Sequence, residues 1–157
     1  MNINIQQSYR EGTVRGASPV GLVVRLYEQL IEDLRQASMA IEQNDIERRS
    51  NRIKHAILII VHLQSPLDFA QGGKVAQDLN HFYNALRQNV VWVQFHPSKR
   101  TVTQLITDLL VLREAWTKVE RAERPSGAAS AIIAAPPRFP SRAADSDSDP
   151  VHMDWQG

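Results

Sequence analysis

The chain has 157 residues, 43% of them hydrophobic and 22% charged, which suits one ordinary globular domain. A net charge of +1 gives no electrostatic reason to expect nucleic acid or an anionic membrane as the principal partner. The absence of cysteine excludes a disulfide scaffold, a thiol nucleophile and a cysteine-ligated metal. No basic-then-apolar leader opens the chain, and its longest apolar run, Ala56 to Val61, is far too short to span a bilayer, so a cytoplasmic location is expected.

Residues 1–17 read as an N-terminal arm. Gly12 and Gly16 break helical continuity there, while Ile3, Ile5, Tyr9 and Val14 offer apolar groups that an isolated arm cannot bury alone. Ser18 can accept a hydrogen bond from a free amide of a first helical turn, and Pro19 suits the first helical position because its missing N–H needs no partner. A helix therefore begins at Pro19. Its apolar positions recur at three and four: Val23, Tyr27, Leu30, Leu34, Ala37 and Ile41. Asn44-Asp45 ends it, and a second stripe follows in Ile53, Ala56, Ile60 and Leu63, with Pro66 expected to kink or stop that helix.

A break from Ser65-Pro66 to Gly72-Gly73 precedes a third stripe of Val75, Leu79, Phe82, Leu86 and Val90. After His96-Pro97-Ser98 comes a fourth: Val102, Leu105, Leu109, Leu112, Trp116 and Val119. Four long amphipathic helices with short connections predict an all-α fold, an antiparallel up-and-down four-helix bundle over residues 18–123. Beyond Arg124 the composition changes. Five of the eight prolines fall there, with a run of alternating Asp and Ser from Asp145 to Asp149, so residues 124–157 are expected to be a disordered tail. Its Ile132-Ile133 and Trp155 read as an unselective extension in preference to a short linear motif.

Catalytic chemistry has no candidate residues. Di-iron bundles need paired Glu-x-x-His motifs, and the nearest echo is a single Asp78 to His81. His55 and His62 share a helix face, but no acidic residue stands at ligand spacing beside them, so two boundary histidines are the favoured reading and no metal or cofactor is expected. Gly72-Gly73 without a following Lys-Ser/Thr is a turn and not a phosphate cradle. Arg48, Arg49, Arg52 and Lys54 cluster early in the second helix, where a solvated face is favoured over an acidic partner surface.

The positive signal is surplus apolar surface, since an outer helix of a bundle needs only one buried stripe. Leu22, Val24 and Leu26 widen the first stripe; Leu58, Ile59 and Val61 lie off the second; Val91, Trp92 and Phe95 lie off the third. Unequal helix lengths and the docked N-terminal arm account for any single one of these residues as well, but a partner wrapping several faces better explains why several helices overshoot.

These residues carry a resemblance. The chain resembles the FliS family of flagellin-specific export chaperones over about Tyr9 to Glu123. The match rests on Tyr9, Val14, Ala17-Ser18-Pro19, Leu22 and Leu26-Tyr27; on Ala40-Ile41 with Asn44-Asp45; and on Ile53, Ala56, Ile59-Ile60 and Leu63. It continues through Leu67-Asp68, Gly72-Gly73, Val75-Ala76, Leu79 and Tyr83 to Leu112-Arg113-Glu114-Ala115-Trp116.

The resemblance implies a four-helix bundle, sometimes with a short N-terminal cap helix, that is not an enzyme and uses no nucleotide. Its implied cargo is the C-terminal segment of flagellin, which becomes partly helical as it wraps the bundle; the complex prevents premature filament assembly and presents cargo to the export gate. By position, Tyr9 belongs to an N-terminal segment that can lie over the cargo groove, with Leu22, Leu26 and Tyr27 near it. Together with Val14, Leu58, Ile59 and Trp92 these are the expected partner-binding residues. Two departures are visible: Gln6 stands where the family often has a second tyrosine, and Gly16 replaces a usual threonine. The alternative from a different class is a structural or regulatory bundle that self-associates, as a homodimer, through the same surfaces.

Overall fold

The computed structural model of the chain describes residues 18–123. Four helices account for nearly all of them: α1 (Pro19–Glu42), α2 (Ile46–Gln64), α3 (Phe69–Phe95) and α4 (Lys99–Glu123). Tyr9 and Val14, expected on the arm, and the tail after Glu123 lie outside the described residues.

Local chemistry sets each boundary. Ser18 is extended at φ −64° and ψ 154°, and its Oγ accepts the Gly21 N–H at 3.0 Å, with Pro19 leading the first turn. Gly21 leaves room for Glu120 of α4: a Cβ there would stand 2.7 Å from Oε1, the far end of that flexible side chain. The absent side chain lets that carboxylate approach the N-terminal turn of α1, where the helix dipole favours negative charge.

At the other end Asn44 takes φ 52°, a left-handed conformation that asparagine tolerates. The Asn44 N–H then reaches the Ile41 carbonyl at 3.2 Å and the Asp45 N–H the Ala40 carbonyl at 2.9 Å, the paired bonds of a Schellman stop. Asp45 at once caps α2 by accepting the Arg48 N–H at 2.9 Å. One dipeptide thus ends a helix and starts the next.

α2 stops at Gln64, ahead of Ser65-Pro66, as the proline predicts. The expected break through Gly72-Gly73 is shorter than the spacing suggests. Asp68 accepts the Ala70 and Gln71 N–H groups, each at 3.0 Å, and starts α3 at Phe69; Gly73, at φ 52° and ψ −130°, survives as a non-helical residue inside it. Val75, placed in the buried stripe by spacing, is instead exposed, two residues past that break. Ser98 caps α4 through the Thr101 N–H at 3.2 Å.

The bundle is antiparallel, with α1 packed broadly on α2 and α4, α3 closing on α2, and the α3–α4 seam the slightest. Tyr27, Leu30, Ile31 and Leu34 of α1 meet Ile59 and Ile60 of α2, Tyr83 and Val90 of α3, and Val102 and Leu109 of α4 in one core. Each such side chain contributes about 1.5–3 kcal/mol when fully buried. Across the diagonal, the Tyr27 and Tyr83 hydroxyls lie 2.7 Å apart in the core.

That pairing makes the fold sensitive to alkali. Burial is the main cause that pushes the Tyr27 phenol up to about 12, and burial with the neighbouring Tyr27 raises Tyr83 further. Both phenols ionise more easily in the unfolded chain, near 10. The contribution of Tyr27 is therefore complete below about pH 10 and is lost as pH rises through about 12, while that of Tyr83 begins to fall in the same range and goes on falling above it. Melting temperature followed from pH 9 upward will fall in this window together with the rise of tyrosinate absorbance, and Tyr27→Phe with Tyr83→Phe will flatten that fall.

Candidate functional site

The surface between α2 and α3 is built from the way these helices are tied. Gln94 Nε2 donates to Ser50 Oγ at 2.5 Å near one end, and Gln64 Nε2 donates to Asn80 and Asn84 Oδ1 at 2.7 and 2.8 Å near the other. Between these polar fastenings both helices turn large apolar side chains outward. Leu58 is 54% exposed and Val61 is exposed on α2; on α3, Trp92 is 56% and Phe95 73% exposed, with Val91 beside them. Arg87, Gln88, Val91, Trp92 and Phe95 line an open depression of about 280 Å³. Trp92 is held in place by stacking on His96, ring centroids 3.7 Å apart and planes 14° from parallel.

An apolar surface of this kind, rimmed by polar groups, is the usual mark of a protein-binding patch. It can bury an amphipathic segment in the groove between two helices.

The structure divides the expected partner-binding residues. Leu58 and Trp92 are exposed on this flank, and Leu26 is half-buried against the core. Leu22 is 6% exposed, and Tyr27 and Ile59 are completely buried, so these three present nothing to a partner in this state. Val24, also expected as surplus, is buried. The physical reason is that α1 packs on two neighbours, which covers a wider arc than one stripe, while Ile59 joins the core stripe at the junction of α2 with it. Phe69 and Val75 on α3 and Val111 on α4 are exposed apolar residues that spacing had not singled out as surplus.

Three of the four residues of the basic cluster of α2 are tied to neighbouring groups, and only Lys54 keeps to the solvated face. Arg48 bonds Gln36 and Gln43, Arg49 Nη2 donates to the Gln94 carbonyl at 3.4 Å, and Arg52 Nη1 meets Asp33 Oδ1 at 3.3 Å. Asp33 is a completely buried carboxylate on α1, and it also takes His55 Nδ1 at 2.5 Å. The Arg49 contact ties α2 to α3 and the others tie α1 to α2, and the carboxylate beside His55 comes from the neighbouring helix, beyond the reach of spacing on α2. Burial lowers the affinity of His62 for a proton. Among the described residues no group of three or more His, Asp or Glu is placed to hold a metal, and no helix is long and apolar enough to cross a membrane.

Fold and site together define an all-α antiparallel bundle with an open apolar flank on α2 and α3. The family model described as flagellar protein FliS matches residues 1–123, and the chain belongs to the FliS family. It is 28% identical to a flagellar secretion chaperone FliS of Campylobacter jejuni over 74% of this chain and 91% of that protein. It is also 26% identical to a flagellar secretion chaperone FliS of Vibrio cholerae, over 72% and 86%, and 29% identical to a flagellar secretion chaperone FliSB of Pseudomonas aeruginosa, over 71% and 88%.

Proposed function

We propose that this chain is a cytoplasmic flagellar secretion chaperone, a binding protein and not an enzyme, which holds the C-terminal segment of flagellin on the α2–α3 flank and delivers it to the export gate. The observation that carries this reading is the exposed set of Leu58, Val61, Val91, Trp92 and Phe95 on a bundle whose core is otherwise closed, in a chain of the FliS family. A segment that lays an amphipathic helix along this flank removes those side chains from water. Where the segment is unstructured beforehand, its ordering subtracts about 2–5 kcal/mol from the contact energy, so the complex can hold cargo and still release it. Tyr9 and Val14, with Leu26, extend the proposed contact towards the N-terminal arm.

Calorimetric titration with a C-terminal flagellin peptide tests the reading. Saturable binding at micromolar concentrations or tighter is expected, with a heat that becomes more exothermic on warming, the signature of apolar burial. Absence of binding heat at two temperatures overturns it. A particle mass of two chains that excess peptide does not change would favour self-association through the same flank.

A further inference from the structure

The α2–α3 flank is apolar in its middle and basic at its rim. Arg87 lines the depression under Trp92 and has no acidic partner among the described residues. Ser50 is set level with Gln94 by their bond, so Lys54, exposed one turn further along the antiparallel α2, lies about level with Val90 and Val91, and it too has no acidic partner among them. The opposite charge is in the chain itself. Residues 145–157 contain Asp145, Asp147, Asp149 and Asp154 and no lysine or arginine, which puts −4 on this stretch, against +1 on residues 18–123 and +3 on residues 124–144. Trp155, the last aromatic residue, lies directly after Asp154.

The family match ends at residue 123, where α4 ends, so this acidic stretch is an addition to the shared bundle. Reach is no obstacle. α4 runs antiparallel to α3, so the Trp92 end of the flank lies about 40 Å from the end of α4 at 1.5 Å per residue. The 32 residues from Glu123 to Trp155 span up to about 100 Å when extended.

We propose that residues 145–157 fold back onto this flank as its occupant when cargo is absent, with Trp155 seated beside Trp92 and Phe95 and the aspartates facing Arg87 and Lys54. The tail then keeps an aggregation-prone apolar surface covered and yields it to a stronger ligand. The docking stands on the charge and length of this chain; only its displacement by cargo rests on the function proposed above.

The lack of cysteine makes the test clean. Full-length chain carrying Ser148→Cys with a nitroxide spin label is compared with its reduced form by amide and indole NMR. Loss of most of the Trp92 indole intensity, with broadening of the amides of residues 91–95, is expected, and Trp155→Ala or high salt should restore the signals. Even, weak broadening over the whole bundle, or broadening centred on another face, overturns the proposal. So does broadening that arises only between mixed labelled and isotope-enriched copies, which assigns the flank to a second molecule. A C-terminal flagellin peptide should release the broadening; if it fails to bind at all, the cargo reading fails while the docking result stands.

Discussion

Ile59→Asp will destroy cooperative folding and not selectively weaken cargo capture. Ile59 is completely buried among the α1 and α2 core residues, although its place beside Leu58 made it look like part of an outward face. Substitution removes an apolar contact worth about 2–5 kcal/mol and asks the core to accept a carboxylate with no partner, an additional penalty of several kcal/mol. Domains of this size are stable by only about 5–15 kcal/mol. Circular dichroism should show either no cooperative melting transition or one lowered by more than about 15 °C. A melting curve close to that of the parent, with binding lost, would move Ile59 out of the core and onto the cargo surface.

Leu58→Asp combined with Trp92→Asp will have the opposite signature. Both side chains are more than half exposed, so each change should alter stability by no more than about 0.5 kcal/mol. Central apolar anchors of an interface, and tryptophan most of all, commonly contribute 2 kcal/mol or more to binding. The pair should therefore weaken association with a C-terminal flagellin peptide by at least about a hundredfold while the melting temperature moves by only a few degrees. Calorimetry and thermal melting on the same preparation separate the two effects. Unchanged affinity in the folded double variant would remove this flank from the cargo site.

The contrast between Leu58 and Ile59 shows where legibility ended. Helix starts and stops were readable because their causes are local: Ser18-Pro19, Asn44-Asp45 and the stop before Pro66 each act within a few residues of themselves. The core stripes of α1, α2 and α4 were readable for the same reason, through the helical period. Arcs of burial are different. How wide a face each helix hides depends on how many neighbours it has, which is why Leu22, Val24 and Ile59 went inside.

The start of α3 was misjudged because two glycines weigh heavily in a sequence pattern, whereas the cap that Asp68 gives to two amides outweighed them. Asp33 was invisible as a core residue because its partners, Arg52 and His55, arrive from another helix. The same geometry turned Arg48, Arg49 and Arg52 of an apparent basic patch into ties, and left Lys54 in solvent. Trp92 and Leu58 remained where their off-stripe positions put them, so the exposed half of the candidate site was legible and its buried half was not.

The slight seam between α3 and α4 gives the bundle an uneven strength. α1 is clasped on both sides, whereas α3 leans mainly on α2 and carries the Gly73 irregularity near its start. Local opening costs least where the fewest contacts must break, so α3 is the helix that detaches first and whose amides exchange with solvent soonest. A chain wrapped along α3 would act as a splint for it. Client and chaperone would then each complete the other's folding, and a pull that strips the client away would return α3 to its more loosely held condition.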